Sequence, residues 1–229
     1  MDSLPNELIE AIIDDIPPSS LHSSSLVARR WRTRSQQRIL DFITFSSEDK
    51  VDRWYSDVQR VRNRIASYVR SAEFRRIDSW NEPALFGRVL EGLCSLTTLE
   101  VTACAIPDEL PGQISRGMCG RGITTLFLQS SDCELSTITS MILSLPDLKR
   151  LNVLVSGTTL RDPSSTPITP QRRSLDMLEL YYFASEVTED LIQAQITSRN
   201  ICLDSAISGA HRLIAISSET LVALTLEGL

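Results

Sequence analysis

A short apolar unit recurs along this chain at a nearly fixed interval, and that beat restricts the fold more than any other feature of the sequence. The unit is apolar-x-x-apolar-x-apolar. Its copies are Leu40/Ile43/Phe45, Val69/Ala72/Phe74, Leu96/Leu99/Val101, Ile123/Leu126/Leu128, Leu148/Leu151/Val153, Leu175/Leu178/Leu180 and Leu221/Leu224/Leu226, with a weaker copy, Ile201/Leu203, that lacks the leading apolar residue. The middle positions, 43, 72, 99, 126, 151, 178, 201 and 224, lie 23 to 29 residues apart. A unit of that length cannot bury its own apolar face, so successive units must stack and share one core. Within each copy, the apolar pair at spacing two marks a short strand that points alternate residues inward.

Between these strands lie helical candidates. Residues 47–68 open with Ser47 and the acidic pair Glu48-Asp49 and place Val51, Trp54, Tyr55, Val58, Val61 and Ile65 on one face. Residues 83–94 and 135–145 show the same period, and 187–196 and 205–216 show weaker versions of it. Strand and helix alternating at this interval imply a parallel sheet curved into an arc, with helices on its convex side. In that arrangement Trp54 and Tyr55 pack in the core. Residues 156–173 are rich in turn formers and contain Thr166-Pro167 and Thr169-Pro170, which marks a surface loop with dipeptides suited to proline-directed phosphorylation.

The residues alternating with the buried ones face the concave side of such a sheet. They are Thr98, Glu100 and Thr102; Phe127 and Gln129; Asn152 and Leu154; Glu179 and Tyr181; Cys202 and Asp204; Thr225 and Glu227. From these, Glu100, Phe127, Gln129, Asn152, Leu154, Glu179 and Tyr181 form the candidate substrate-binding set, on a mildly acidic face. Phe127, Leu154 and Tyr181 are the large side chains an interface uses as anchors. The alternative is that a helix or loop covers them as ordinary structure.

The first forty residues have a different character. In Leu4-Pro5-Asn6-Glu7-Leu8, proline occupies a position where a first helical turn tolerates a missing N–H, and Glu7 complements the helix N-terminus. Leu8, Ile12 and Ile16 repeat every four residues, with Ile9 and Ile13 beside them. That stripe is too wide for one neighbour, and it implies two apolar partners, one within the chain and one outside it. Pro17-Pro18 ends the helix. A second stretch runs through Leu21, Leu26 and Val27 into Ala28-Arg29-Arg30-Trp31-Arg32, where two short helices meet around a large aromatic side chain.

Leu4-Pro5-x-Glu7-Leu8-x-x-x-Ile12-Ile13-x-x-Ile16-Pro17, then Leu21, then Ser25-Leu26-Val27-x-Arg29-Arg30-Trp31-Arg32 resembles the F-box motif over residues 4 to about 41. The resemblance implies a three-helix module that binds the Skp-type adaptor of cullin–RING ubiquitin ligases. It places Leu4, Pro5, Leu8 and Ile12 at the adaptor interface, while Leu26, Val27 and Trp31 hold the helices together or reach the same surface. His22-Ser23-Ser24-Ser25 departs from the more apolar run of many relatives and is expected to weaken the second helix. Further on, Leu96-x-x-Leu99-x-Val101-x-x-Cys104 resembles the leucine-rich repeat signature, with Ser131 and Ser156 where Cys104 stands. The chain is therefore similar to F-box proteins with a leucine-rich-repeat-like C-terminal region, of the fungal type. The expected fold class is α/β: an F-box domain over residues 1–41, then an irregular leucine-rich-repeat-like solenoid over residues 42–229.

Other chemistries find little footing. The 229 residues are 42% hydrophobic and 23% charged, an ordinary globular balance. No run is apolar enough for a bilayer, and no basic n-region precedes an apolar stretch at the start. Residues 1–76 hold 13 basic against 11 acidic side chains, and the rest hold 10 against 18, so the arginines at 60, 62, 64, 70, 75 and 76 describe a solvated face of an acidic protein rather than a nucleic-acid site. Five cysteines (94, 104, 119, 133 and 202) without a C-x-x-C pair, and two histidines, His22 and His211, offer no zinc or disulfide pattern. There is no G-x-S-x-G, G-x-x-x-x-G-K-[ST] or H-E-x-x-H, and Cys119-Gly120-Arg121-Gly122 does not join a strand to a helix as a phosphate loop does. The expectation is a non-enzyme without cofactor or metal, in the cytoplasm or nucleus.

Three function classes follow: a substrate-recruiting subunit of an SCF-type cullin–RING ligase, an F-box and repeat scaffold acting outside the ligase, and a truncated relic without adaptor binding. The protein substrate is not named by the sequence. Leu221-x-x-Leu224-x-Leu226-Glu227-Gly228-Leu229 has no polar capping unit after its strand, so a short family member prone to association at that end is expected.

Overall fold

Proline sets the first two helix boundaries. Helix α1 (Asn6–Asp15) starts after Pro5, whose carbonyl accepts the Ile9 N–H at 3.2 Å, and stops where Ile16 turns extended ahead of Pro17. Helix α2 (Pro18–Val27) carries proline in its first turn and is separated by the extended residue Ala28 from α3 (Arg29–Leu40). Ile9, Ile13 and Leu21 make a small core of their own, with Leu4, Ile16 and Trp31 packed against it. The serine run does not interrupt α2. Ser24 and Ser25 are buried, and their hydroxyls donate to the carbonyls of Ser20 (2.9 Å) and His22 (2.6 Å), which removes the cost of burying them.

The computed structural model describes residues 4–60, 65–116, 120–130, 135–155, 173–182, 185–204, 207 and 209–227. After α3 the chain continues as β1 (Phe42–Phe45), α4 (Glu48–Arg60), β2 (Ser71–Arg75), α5 (Ala84–Gly92), β3 (Thr98–Thr102), α6 (Leu110–Ser115), β4 (Thr125–Ser130), α7 (Leu135–Ser144), β5 (Arg150–Val155), β6 (Arg173–Leu175), β7 (Met177–Tyr182), α8 (Ser185–Gln193), β8 (Ile196–Ser198), β9 (Asn200–Asp204), α9 (Ala210–Ser217) and β10 (Ala223–Glu227). The main sheet has the order β1-β2-β3-β4-β5-β7-β9-β10, and β6 pairs with β8 in a second, two-stranded sheet. Every pairing is parallel. The protein is thus mixed α/β, with helices at its N-terminus followed by a parallel sheet.

The register shows why the beat in the sequence matters. Ile43, Ala72, Leu99, Leu126, Leu151, Leu178, Ile201 and Leu224 are register partners from strand to strand and form one row across all eight strands. Phe45, Phe74, Val101, Leu128, Val153, Leu180, Leu203 and Leu226 form the next inward row. Apart from Leu224 and Leu226, which are exposed on the edge strand, both rows join or pack against Leu85, Phe86, Val89, Ile138, Ile142 and Leu191 from the helices in one core. The weak copy keeps its place through a buried serine: at the leading position, Ser198 donates to the carbonyls of Leu175 (3.3 Å) and Asn200 (2.8 Å). Unit-to-unit spacing is also held by the backbone, since the carbonyls of Asp41, Arg70, Thr97, Thr124, Lys149 and Arg199 each accept two successive N–H groups of the following unit.

Trp54 and Tyr55 are packing residues. Trp54 meets Phe45 edge-on at 5.6 Å, next to a chain of rings through Phe74 and Phe86 to Trp80, and the Arg88 guanidinium sits 5.4 Å over the Tyr55 ring. Several boundaries differ from the sequence expectation. The helix expected over 47–68 is described over Glu48–Arg60, residues 61–64 including Val61 lie outside the described residues, and Ala66–Tyr68 form a single 3-10 turn. Within the stretch 205–216, of which 205, 206 and 208 lie outside the described residues, helix α9 begins at Ala210, directly after Gly209 with its left-handed φ of 82°. Helix α6 was invisible to periodicity: six residues including Pro111 and Gly112 are too few for a period to emerge. Ser131, Ser156 and the 156–172 part of the proposed loop lie outside the described residues. Gly120 and Gly122 have φ of 74° and 88° and lie in the turn that leads into β4, and Cys119 lies outside the described residues.

Candidate functional site

Two surfaces carry the residues singled out by sequence. The first is on α1 and the end of α2. Ile9 and Ile13 point into the small helical core, and the neighbouring positions Leu8 and Ile12, one turn apart, are 52% and 42% exposed. Pro5, one turn earlier, is exposed as well. At the end of α2, Leu26 and Val27 stand 71% and 58% exposed. Such a density of large apolar side chains in solvent is uncommon on a protein surface that meets only water. Leu4 and Trp31 are placed differently: both are half-buried against Ile9, Ile13 and Leu21.

Helix α3 holds α1 in position through arginines at every fourth residue. Arg30 donates to the Leu4 carbonyl (3.1 Å) and the Asn6 side chain (2.6 Å), and Arg34 makes a two-pronged pair with Asp14 at 2.9 and 2.6 Å. Arg38 donates to the carbonyls of Ile13 and Ile16 at the C-terminal end of α1, the second at 2.9 Å. The hydrogen bond from Arg34 holds the Asp14 carboxyl below its ordinary range. The sequence analysis did not single out this row, although its i, i+4, i+8 spacing was readable.

The second surface is the sheet face opposite the helices. Glu100, Phe127, Asn152 and Glu179 are register partners on β3, β4, β5 and β7, and Gln129, Leu154 and Tyr181 are partners in the next outward row on β4, β5 and β7. All seven candidate residues thus sit in two adjacent rows on four neighbouring strands. Phe127 is 39% exposed and Gln129 is exposed, while the other five are half-buried. A hollow of about 340 Å³ opens among Phe127, Arg150, Asn152, Met177, Glu179 and Asn200. Arg150, Met177 and Asn200 were missed by the sequence analysis, yet Arg150 and Met177 lie two residues before Asn152 and Glu179 and so share their face.

Cys202 corrects one expectation. Its position is on the outward row, but it is only 7% exposed, and its Sγ lies 3.6 Å from the Tyr181 hydroxyl on the neighbouring strand. The large ring of Tyr181 beside it leaves little of so small a side chain to solvent. Charge on the face is uneven. The Asn152 amide donates to Glu179, and Thr44 donates to Glu73 at 3.1 Å, with Arg75 3.8 Å from the same carboxylate. Glu100 is paired in register with Glu73 and has no hydrogen bond or ion pair among the described residues. Partial burial, and then the charge of Glu73, push its carboxyl above the ordinary range.

Among the described residues no group of three or more His, Cys, Asp or Glu is gathered to hold a metal, and no helix is long and apolar enough to cross a membrane. No curated protein matches this chain. F-box domains bind Skp-type adaptors in cullin–RING ligases, and F-box proteins are generally adaptors rather than enzymes. The family model for the F-box domain matches residues 1–42, the three helices with their outward apolar side chains and the first residue of β1, and this match supports reading the chain as an F-box protein.

Proposed function

We propose that this chain is a substrate-recruiting subunit of an SCF-type cullin–RING ubiquitin ligase. The observation that carries the proposal is the exposed apolar set Pro5, Leu8, Ile12, Leu26 and Val27, on helices that match the F-box domain and bury a different set of residues internally. These five residues contact the adaptor; Leu4 and Trp31 shape the same surface from beneath. Residues 42–229 act as a leucine-rich-repeat-like solenoid, a reading supported by eight parallel strands in chain order with the repeated positions in one row. The open rows of Glu100, Phe127, Asn152 and Glu179, and of Gln129, Leu154 and Tyr181, receive the protein substrate. The chain supplies proximity, and the chemistry belongs to other subunits. It works where the ligase works, in cytoplasm or nucleus.

The test is co-purification of the chain with a Skp-type adaptor, beside a variant carrying Leu8→Ala and Ile12→Ala. Both replaced side chains are exposed, so the variant keeps its fold. Capture by the parent and its loss in the variant is the expected result. A folded parent that captures no adaptor would sink the proposal.

A further inference from the structure

The open face is specific about the kind of chain that fits it. Glu73, Glu100, Glu179 and Asp204 outnumber Arg75 and Arg150 along its outward rows, so a partner of opposite charge is favoured there. The carboxylates are not spread evenly. In one row the order is Glu73, Glu100, Phe127, Asn152, Glu179, an acidic pair on one side of an exposed ring and a third carboxylate on the other. Like charges opposite each other on paired strands destabilise a sheet. The Glu73–Glu100 pairing is such a case, only partly offset by Arg75, and Glu100 has no partner among the described residues. An incoming cation relieves that repulsion.

Spacing then sets the pattern. Neighbouring strands are about 4.8 Å apart, so Glu100 on β3 and Glu179 on β7, three strand steps away, are separated by roughly 14 Å. An extended chain laid across the strands presents side chains to one side every ~6.8 Å, so its residues i and i+4 span nearly the same distance. Residue i+2 then falls between β4 and β5, beside Phe127 and over the hollow that Met177 also lines. We infer that the open face receives an extended peptide segment with Lys or Arg at positions i and i+4 and an apolar side chain at i+2. The cation at i lies against Glu100 and Glu73, beside the Phe127 ring, and the cation at i+4 lies against Glu179. This inference rests on the open face being the substrate surface proposed above.

A random dodecapeptide library displayed on phage, selected on the immobilised full chain, tests it. The expected outcome is enrichment of sequences with basic residues four apart and an apolar residue midway. A synthetic peptide of an enriched sequence should lose affinity about tenfold on Glu100→Lys or Glu179→Lys. Replacing the matching lysine of the peptide by glutamate should restore it. Melting curves of the variants, expected to stay cooperative and to show no loss of stability at Glu100→Lys, where repulsion from Glu73 is relieved, separate lost contact from lost fold. Enriched peptides that need Phe127 and Tyr181, as judged by the double alanine variant, yet lack the basic spacing or ignore both charge reversals overturn the inference and leave the substrate face standing. Peptides that bind the Phe127→Ala, Tyr181→Ala variant equally well, or no enrichment at all, overturn both.

Discussion

Glu100 is a residue whose charge works against the fold that holds it. Its carboxyl is raised above the unfolded value by burial and by Glu73, so the folded state disfavours the ionised form at neutral pH. The penalty is present above the folded-state value and disappears as the pH falls through it and the group takes up a proton. Glu100→Gln is therefore expected to raise Tm by about 1–2 °C at pH 7, on the scale of one cross-strand like-charge pair, and to leave it unchanged once the parent residue is protonated. Thermal melts of parent and variant across the acid range check the sign. Thr139 shows the opposite case, a polar group the core needs. It is 3% exposed and donates to Asp190, itself 2% exposed, at 2.7 Å. Thr139→Val removes that donor at nearly constant volume, and a loss of about 1–3 kcal/mol is expected in denaturant unfolding.

At the scale of elements, α1 carries a buried and an exposed apolar stripe on one helix, which the proposed function divides between stability and recognition. Ile13 is fully buried, and Ile13→Ala is expected to cost about 2–5 kcal/mol, read as melting of the three-helix segment. Leu8→Ala with Ile12→Ala removes side chains that are about half exposed and should cost no more than about 1 kcal/mol, while adaptor capture is expected to be lost. The two apolar stripes of α1, one buried and one exposed, were legible from Leu8, Ile9, Ile12 and Ile13 in sequence. Which of Leu4, Leu26, Val27 and Trp31 faces outward was not, because each lies where the chain turns and period alone assigns no face. The sheet elements follow the same logic: a spacing of two fixes which side chains share a face, so Glu100, Phe127 and their partners could be named in advance.

For the molecule as a whole, one residue, Asp41, joins α3 to β1, and its carbonyl accepts the N–H groups of Arg70 and Ser71 from the next strand. A polar groove among Asp14, Arg34, Arg38, Asp41, Tyr68 and Arg70 lines the junction of the helical segment and the sheet. The far edge is different. Leu224 and Leu226 continue the two inward rows but are 42% and 45% exposed, and Val222 beside them is 79% exposed. An open parallel edge with apolar side chains favours association. The 229-residue chain is expected to self-associate with rising concentration in light scattering, and Val222→Lys with Leu226→Lys should return it to a monomer; a monodisperse parent over the same range would contradict this.

The sequence by itself determined the repeat, the rows it builds and the apolar face of α1, because these depend on period, and period is a property of the covalent order. Tertiary structure decided what period does not encode. It put Ser198 in an apolar row with its hydroxyl satisfied, hid Cys202 beside Tyr181, and set Arg30, Arg34 and Arg38 on α1. It also brought Arg150, Met177 and Asn200 to one hollow. Burial and charge pairing arise from residues far apart in the chain, and only the folded chain places them side by side.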